Sequence, residues 1–221
     1  MQLEKSLAVG PGMYTACTYK GFTYVGVSNV ISRFDSEGNQ TKNFIQLPNQ
    51  AITIRAHQDQ LFVLVNGNPY QVMVYNLNGN QVKSWNHSDK NGPWLGNKLC
   101  IINNQIITAD VTNQRITVYS LDGKTERQIT CPQMPNNTYI SMCAAAAGDS
   151  VIITTHTPPA VFRFNLNTSA VIWKTDLTGN PFCSAVYGRA VLVGGCGCSA
   201  KKGVWIQVLN YDTGEFKHKA C

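Results

Sequence analysis

Charge is scarce in this chain. Only 14% of its 221 residues are Asp, Glu, Lys or Arg, and 12 carboxylates leave few candidates for acid–base chemistry. The formal balance is +6, yet Lys and Arg are scattered through the chain instead of running together. A dedicated nucleic-acid binder carries a denser basic stripe, so this pattern argues against that class and supports only mild attraction to anionic partners. No apolar run approaches the ~20 residues of a membrane-spanning helix, which argues against insertion. The start, Met1-Gln2-Leu3-Glu4-Lys5, carries charge at once and does not read as a secretory leader. The four histidines are dispersed, and Cys196-Gly197-Cys198, which could form a redox pair or a soft-metal ligand pair, has no second Cys or His pair at zinc spacing beside it, so no metal or cofactor is expected. Gly194-Gly195-Cys196-Gly197 and Gly10-Pro11-Gly12 lack the strand-and-helix context of a phosphate loop.

What the chain does have is a pattern that returns five times. It reads Val30-Ile31-Ser32-Arg33-Phe34-Asp35 with Gly38 following, then Gln71-Val72-Met73-Val74-Tyr75-Asn76 with Gly79. The third copy is Arg115-Ile116-Thr117-Val118-Tyr119-Ser120 with Gly123, and the fourth is Ala160-Val161-Phe162-Arg163-Phe164-Asn165. The last is Trp205-Ile206-Gln207-Val208-Leu209-Asn210 with Gly214. The anchors at 34, 75, 119, 164 and 209 are spaced by 41, 44, 45 and 45 residues. A strand-only repeat of this length is the signature of a β-propeller, one repeat per blade. The expectation is an all-β protein: a five-bladed β-propeller of four-stranded antiparallel blades, in one domain over residues 1–221. A six-bladed propeller is the alternative, because residues 1–10 stay unassigned and could be an added outer strand or the remnant of a blade.

The third repeat shows the internal grammar. Leu99–Ile102 reads as a first strand, Asn103-Asn104 as a tight turn, and Gln105–Ala109 as the second strand. Arg115–Tyr119 alternates apolar and polar as a third, and Thr125–Thr130 follows the Leu121-Asp122-Gly123-Lys124 turn as a fourth. Aligning the others places second strands at 22–27, 61–65, 151–155 and 190–193. It also places bulky fourth-strand anchors at Phe44, Trp85, Ile129, Trp173 and Phe216, expected to pack between blades. Cys17, Cys100, Cys143 and Cys183 fall in first strands, which crowd round a propeller's channel, and are expected as free, buried, small hydrophobes. The pairing of Cys131, Cys196, Cys198 and Cys221 stays open in the sequence. The missing leader and free thiols point to a cytoplasmic setting. Sequons at Asn39, Asn86, Asn136 and Asn167 keep secretion open.

The stretch Asp110-Val111-Thr112-Asn113-Gln114-Arg115-Ile116-Thr117-Val118-Tyr119 resembles the NHL-repeat signature. Phe164-Asn165-Leu166-Asn167-Thr168-Ser169-Ala170-Val171-Ile172-Trp173-Lys174 resembles the Trp-bearing repeat of quinoprotein-like propellers. The first resemblance implies protein or RNA binding; the second implies a cofactor or a scaffold.

Long loops on a rigid scaffold carry function. The connections from second to third strand, and from one blade to the next, share one face of a propeller. There the sequence places its longer segments: 66–71, 85–98, 110–115, 130–139, 156–160 and 194–204. The candidate ligand residues on that face are Tyr70, Trp94, Lys98, Arg115, His156 and Lys201, aromatics among basic groups. Arg55 and His57, at i and i+2 of a first strand, share one strand face and could bind an anion in the channel. First strands carry no Asp or Glu, so the carboxylate pair of a glycosidase is missing there. Asp110 and Asp176 are the carboxylates on the long-loop face, without an evident partner. The expected function is a non-catalytic binding or scaffold module with a protein partner. A carbohydrate-binding or RNA-binding propeller is the alternative, and a propeller enzyme comes third.

Overall fold

Apolar side chains at alternate positions need a buried surface on each side of a strand, and stacked sheets supply it. The chain folds as five four-stranded antiparallel blades of a β-propeller, each a simple meander. The computed structural model describes residues 13–87, 98–111, 113–135, 140–144, 148–198 and 201–220, with backbone alone at 13–14, 98, 196–198, 201–203 and 219–220. Blade one is β1 (Met13–Tyr19), β2 (Phe22–Val27), β3 (Val30–Phe34) and β4 (Gln40–Gln46). Blade two is β5 (Ala51–His57), β6 (Gln60–Val65), β7 (Gln71–Asn76) and β8 (Gln81–Asn86). Blade three is β9 (Lys98–Ile102), β10 (Gln105–Asp110), β11 (Arg115–Ser120) and β12 (Thr125–Thr130). Blade four is β13 (Ile140–Ala144), β14 (Ser150–Thr155), β15 (Ala160–Asn165) and β16 (Ala170–Asp176). Blade five is β17 (Asn180–Tyr187), β18 (Ala190–Cys198), β19 (Lys201–Asn210) and β20 (Phe216–Ala220). Two compact units divide the chain: Met1–Asn91 with blades one and two, and Gly92–Cys221 with blades three to five. Residues 1–10 lie outside the described residues, which contain no helix.

The repeated motif is explained by one turn. The residue after each third-strand anchor is Asp35, Asn76, Ser120, Asn165 or Asn210, and its side-chain oxygen accepts backbone N–H groups of the hairpin that follows. Asp35 takes Glu37 and Asn39 at 2.9 and 2.8 Å, and Asn76 takes Asn78 and Asn80 at 3.0 Å each. Ser120 takes Lys124 at 3.3 Å, Asn165 takes Asn167 and Thr168, and Asn210 takes Asp212 and Thr213. These are Asx- and Ser-turns. Gly38, Gly79, Gly123 and Gly214 close four of them at φ between 74° and 86°, a region other residues avoid. After the turn, the register between third and fourth strands shifts in every blade. The shift bulges out Val82 and Ile172, which accounts for their exposure of 51% and 44%.

Blades pack through aliphatic faces. In the first unit Tyr24, Ile31 and Ile45 of blade one meet Ile54, Leu61 and Val63 of blade two. In the second, Ile107, Val118 and Ile129 of blade three meet Met142, Ile153 and Phe164 of blade four. Cys143, Ile152 and Trp173 of blade four meet Val193, Trp205 and Leu209 of blade five. Polar staples recur at these contacts. The Thr15 hydroxyl accepts the Ile54 N–H at 3.0 Å, and the Ser141 hydroxyl accepts the Ser184 N–H at 3.2 Å, each joining first strands of neighbouring blades. Arg33 lies 4.8 and 4.4 Å from the Phe22 and Phe44 ring centroids and donates to the Leu77 carbonyl. Arg163, at the equivalent place in blade four, lies 4.1 Å from the Tyr211 ring centroid and donates to the Tyr211 carbonyl.

Three expectations need correction. The 194–204 segment is not a loop: β18 runs on to Cys198 and β19 starts at Lys201, so most of it is a long hairpin. The fourth-strand anchors are not equivalent. Trp173 is 9% exposed and pairs with Arg163, next to its blade's third-strand anchor, whereas Trp85 and Ile129 pair two positions further on, with Val72 and Ile116. Phe216 sits beside the turn at 52% exposure. Of the first-strand cysteines, Cys100 and Cys143 are buried and Cys17 is half-buried, but Cys183 is exposed on blade five. No disulfide joins any of the five described cysteines, these four and Cys131.

Candidate functional site

Each meander carries the link between its second and third strands, and the exit of its fourth, to one end. In the second unit this end is built from three blades. Blade three contributes a closed latch. Asp110, nearly buried, accepts the Asn113 backbone N–H at 3.3 Å and side-chain amide at 2.7 Å. Arg115 lies 3.6 Å from the same carboxylate and donates to Gln128 Oε1 at 3.2 Å. Gln114 donates to the Pro132 and Met134 carbonyls at 3.2 and 2.7 Å, tying this link to the exit of the blade. The Asp–Asn–Arg pattern of the sequence is therefore loop architecture, and Arg115 spends its guanidinium holding it.

Blade four contributes His156. Its Nδ1 lies 3.1 Å from Thr157 Oγ1, and its ring centroid is 5.3 Å from that of Phe182 in β17. The Thr155 hydroxyl donates to the Pro158 carbonyl at 2.7 Å and fixes the loop beneath. Phe182 is 41% exposed, so the pair presents an aromatic and an imidazole edge to solvent.

Tyr70, in the first unit, is 4% exposed; its carbonyl accepts the His87 N–H, and little of its side chain is offered to a ligand. Trp94 and Asn136 lie outside the described residues. Lys98 and Lys201 are placed by backbone only, Lys98 pairing with Ala109 and Lys201 with Cys198. Arg55 and His57 are half-buried on one face of β5, with Arg55 donating to the Ile54 carbonyl at 2.8 Å. Beside Arg55, burial pushes the Cys17 thiol up to about 11, against the opposing pull of that guanidinium.

A pocket missed in the sequence opens by blade five. Thr178, Gln207, Phe216, Lys217 and His218 line a space of about 290 Å³. Gln207 is 1% exposed; its amide donates to the Thr178 hydroxyl at 3.2 Å, while its Oε1 has no hydrogen-bond partner among the described residues. The signal lay in the repeat: counted from the anchor, Gln207 holds the place of Met73, Thr117 and Phe162.

Described carboxylates serve turns and pairs. Hydrogen bonds from the Asn165 amide and the Ser150 hydroxyl hold the Asp149 carboxyl below its usual range. Asp212 accepts from Arg189 at 2.8 Å, and Asp176 pairs with Lys174 at 3.2 Å. Among the described residues, no three His, Cys, Asp or Glu side chains gather to hold a metal ion, and no helix is long and apolar enough to cross a membrane.

No family model matches the chain, and no curated protein matches it in sequence. Among solved structures it is similar to the WD40 β-propeller domain of Doa1, with a TM-score of 0.71 and 10% identity over 94% of this chain and 68% of that one. It is also similar to the computationally designed Ika8 protein, with a TM-score of 0.62 and 12% identity over 94% of this chain and 61% of that one. At such identities the likeness is one of fold. The chain spans 68% and 61% of the length of these two structures.

Proposed function

We propose that the chain is a non-catalytic binding module that engages a protein partner through the loop-bearing end of blades three to five. The observation that carries this reading is the His156–Phe182 pair, a half-exposed aromatic contact between a loop fixed from below and strand β17. Rigid aromatic anchors of this kind give affinity at small entropic cost. A WD40 propeller among the similar structures adds fold-level support for a scaffold role. The Asp110–Arg115 segment belongs to the same end and fixes its shape.

Carbohydrate binding is the second reading, favoured by the Gln207 pocket, where an exposed Phe216 ring, a hydroxyl and a spare amide oxygen adjoin. Replacing His156 and Phe182 together by Ala, followed by in-cell crosslinking, tests the first reading. Loss of the partners crosslinked to the wild-type chain, with the Asp122→Ala/Lys124→Ala hairpin control retaining them, supports it. Retention by the double variant together with binding on a glycan array moves the function to the pocket.

A further inference from the structure

Blade five buries one face of its sheet and leaves the other open. On β18 and β19, Val191, Val193, Trp205 and Leu209 are at most 1% exposed and pack on blade four. The alternate residues turn the other way, and Val204 and Ile206 are 79% and 51% exposed. Ile206 pairs with Gly194, and Gly194 with Cys183, so these three cross the open face in one row.

The same row exists in blade one, where it is covered. Gly26 holds the place of Gly194, and a Cβ on it would meet Ala51 Cβ at 3.0 Å and Ile54 Cδ1 at 3.3 Å in blade two. Thr15 pairs with Gly26 as Cys183 pairs with Gly194, and Thr15 accepts the Ile54 N–H of the next first strand. Ser141 holds this place in blade four and accepts the Ser184 N–H of blade five. The open face of blade five thus shares one row with a face that a following blade covers elsewhere: Gly194 at the place of Gly26, Cys183 at the place of Thr15 and Ser141, and Ile206 at the place of Ile31.

We propose that this face is a docking surface for one occupant, a further four-stranded β-blade. Its first strand would present a backbone N–H to Cys183, and its aliphatic face would cover Val204 and Ile206. The similar WD40 β-propeller domain of Doa1 favours this occupant over a peptide or a lipid surface, since 32% of its chain lies beyond the part this chain matches. Cys183 follows Phe182 in β17, but the surface uses neither Phe182 nor His156, so this inference does not rest on the proposed function.

The test supplies the blade. Residues 177–220 are repeated after Ala220, with Cys183→Ser in the appended copy only. The expected result is at least a tenfold slower alkylation of the original Cys183, and loss of hydroxyl-radical footprints at Val204 and Ile206. Ile206→Asp in the original copy should reverse both, yet leave the thermal midpoint of the unextended chain unchanged. Unaltered labelling and footprints in the extended chain overturn the proposal, whether or not the appended residues fold. Equal protection of the unextended chain at raised concentration also overturns it, by naming a second copy as the occupant.

Discussion

Replacing Trp173 by Ala tests the packing of blades four and five most directly. The ring is 9% exposed, lies against the Val193–Trp205–Leu209 face, and donates its Nε1–H to the Tyr211 carbonyl at 2.9 Å. Gly214 is held at φ 74° against it, so close that a Cβ there would meet the ring at 2.6 Å. A buried Trp removes about 150–250 Å² from water. At about 25 cal/mol/Å² this corresponds to about 4–6 kcal/mol, and truncations of buried Trp or Phe to Ala span about 3–5 kcal/mol. The hydrogen bond adds about 1 kcal/mol. A loss of about 4–5 kcal/mol is therefore expected, read from urea unfolding with hydrogen exchange along β15 to β19. Trp173→Phe keeps most of the apolar area and should lose about 1–2 kcal/mol. Phe216→Ala, at a 52% exposed position, should change stability by less than about 1 kcal/mol. Equal losses at Trp173 and Phe216 would refute the register that separates them and restore their equivalence as inter-blade anchors.

The other predictions follow from single contacts. Arg163→Ala removes the stacking on Tyr211 and a carbonyl bond, an expected loss of about 1–2 kcal/mol by the same unfolding assay. Asn76→Ala leaves two turn N–H groups without their acceptor, and should cost about 1 kcal/mol in blade two. Arg115→Ala should speed hydrogen exchange at Asn113 and Gln114, because the guanidinium bridges Asp110 and Gln128. Burial, against the weaker opposing pull of Arg55 at Cys17 and of backbone hydrogen bonds at Cys131, raises the Cys17 and Cys131 thiols from 9.0 to about 11. The folded state holds these protons longer than the unfolded chain, so stability should fall as pH rises from about 9 to about 11. In that window Cys17→Ala and Cys131→Ala should flatten the pH dependence of urea midpoints. At pH 8 maleimide should label Cys183 first among the five described cysteines.

The blades were legible because the turn chemistry is local. An Asp, Asn or Ser after the anchor and a glycine soon after it define a hairpin without any distant contact, and the strands of blade three follow from it almost residue by residue. The fourth strands were less legible. A register shift after each turn, of one residue in blades two to five and two in blade one, changes which side chain faces the neighbouring blade, and sequence spacing from the anchor does not reveal it. Phe216 and Trp173 look alike in a hydrophobicity pattern, and the bulge and turn set their different fates. The site was least legible. Basic residues on long segments suggested a ligand surface, yet Arg115 turns inward to a buried carboxylate, and the 194–204 stretch, Gly-rich like a loop, continues as paired strand.

Blade five shows why glycine and cysteine misled the sequence reading. Gly194 and Gly195 look like loop residues, but each stands where a side chain has no room. At Gly195 a Cβ would meet the Asn180 carbonyl and the Trp205 ring, and at Gly194 it would meet the Cys183 sulfur at 2.8 Å. They are strand glycines selected by close approach. Cys183 keeps the first-strand position of Thr15 and Ser141 but is exposed where they are buried. Its exposure is a property of the face, not of the residue. The same grammar that writes four-stranded blades therefore also writes a surface complementary to one more, and the first measurement to separate packing from recognition here is the reactivity of that one thiol.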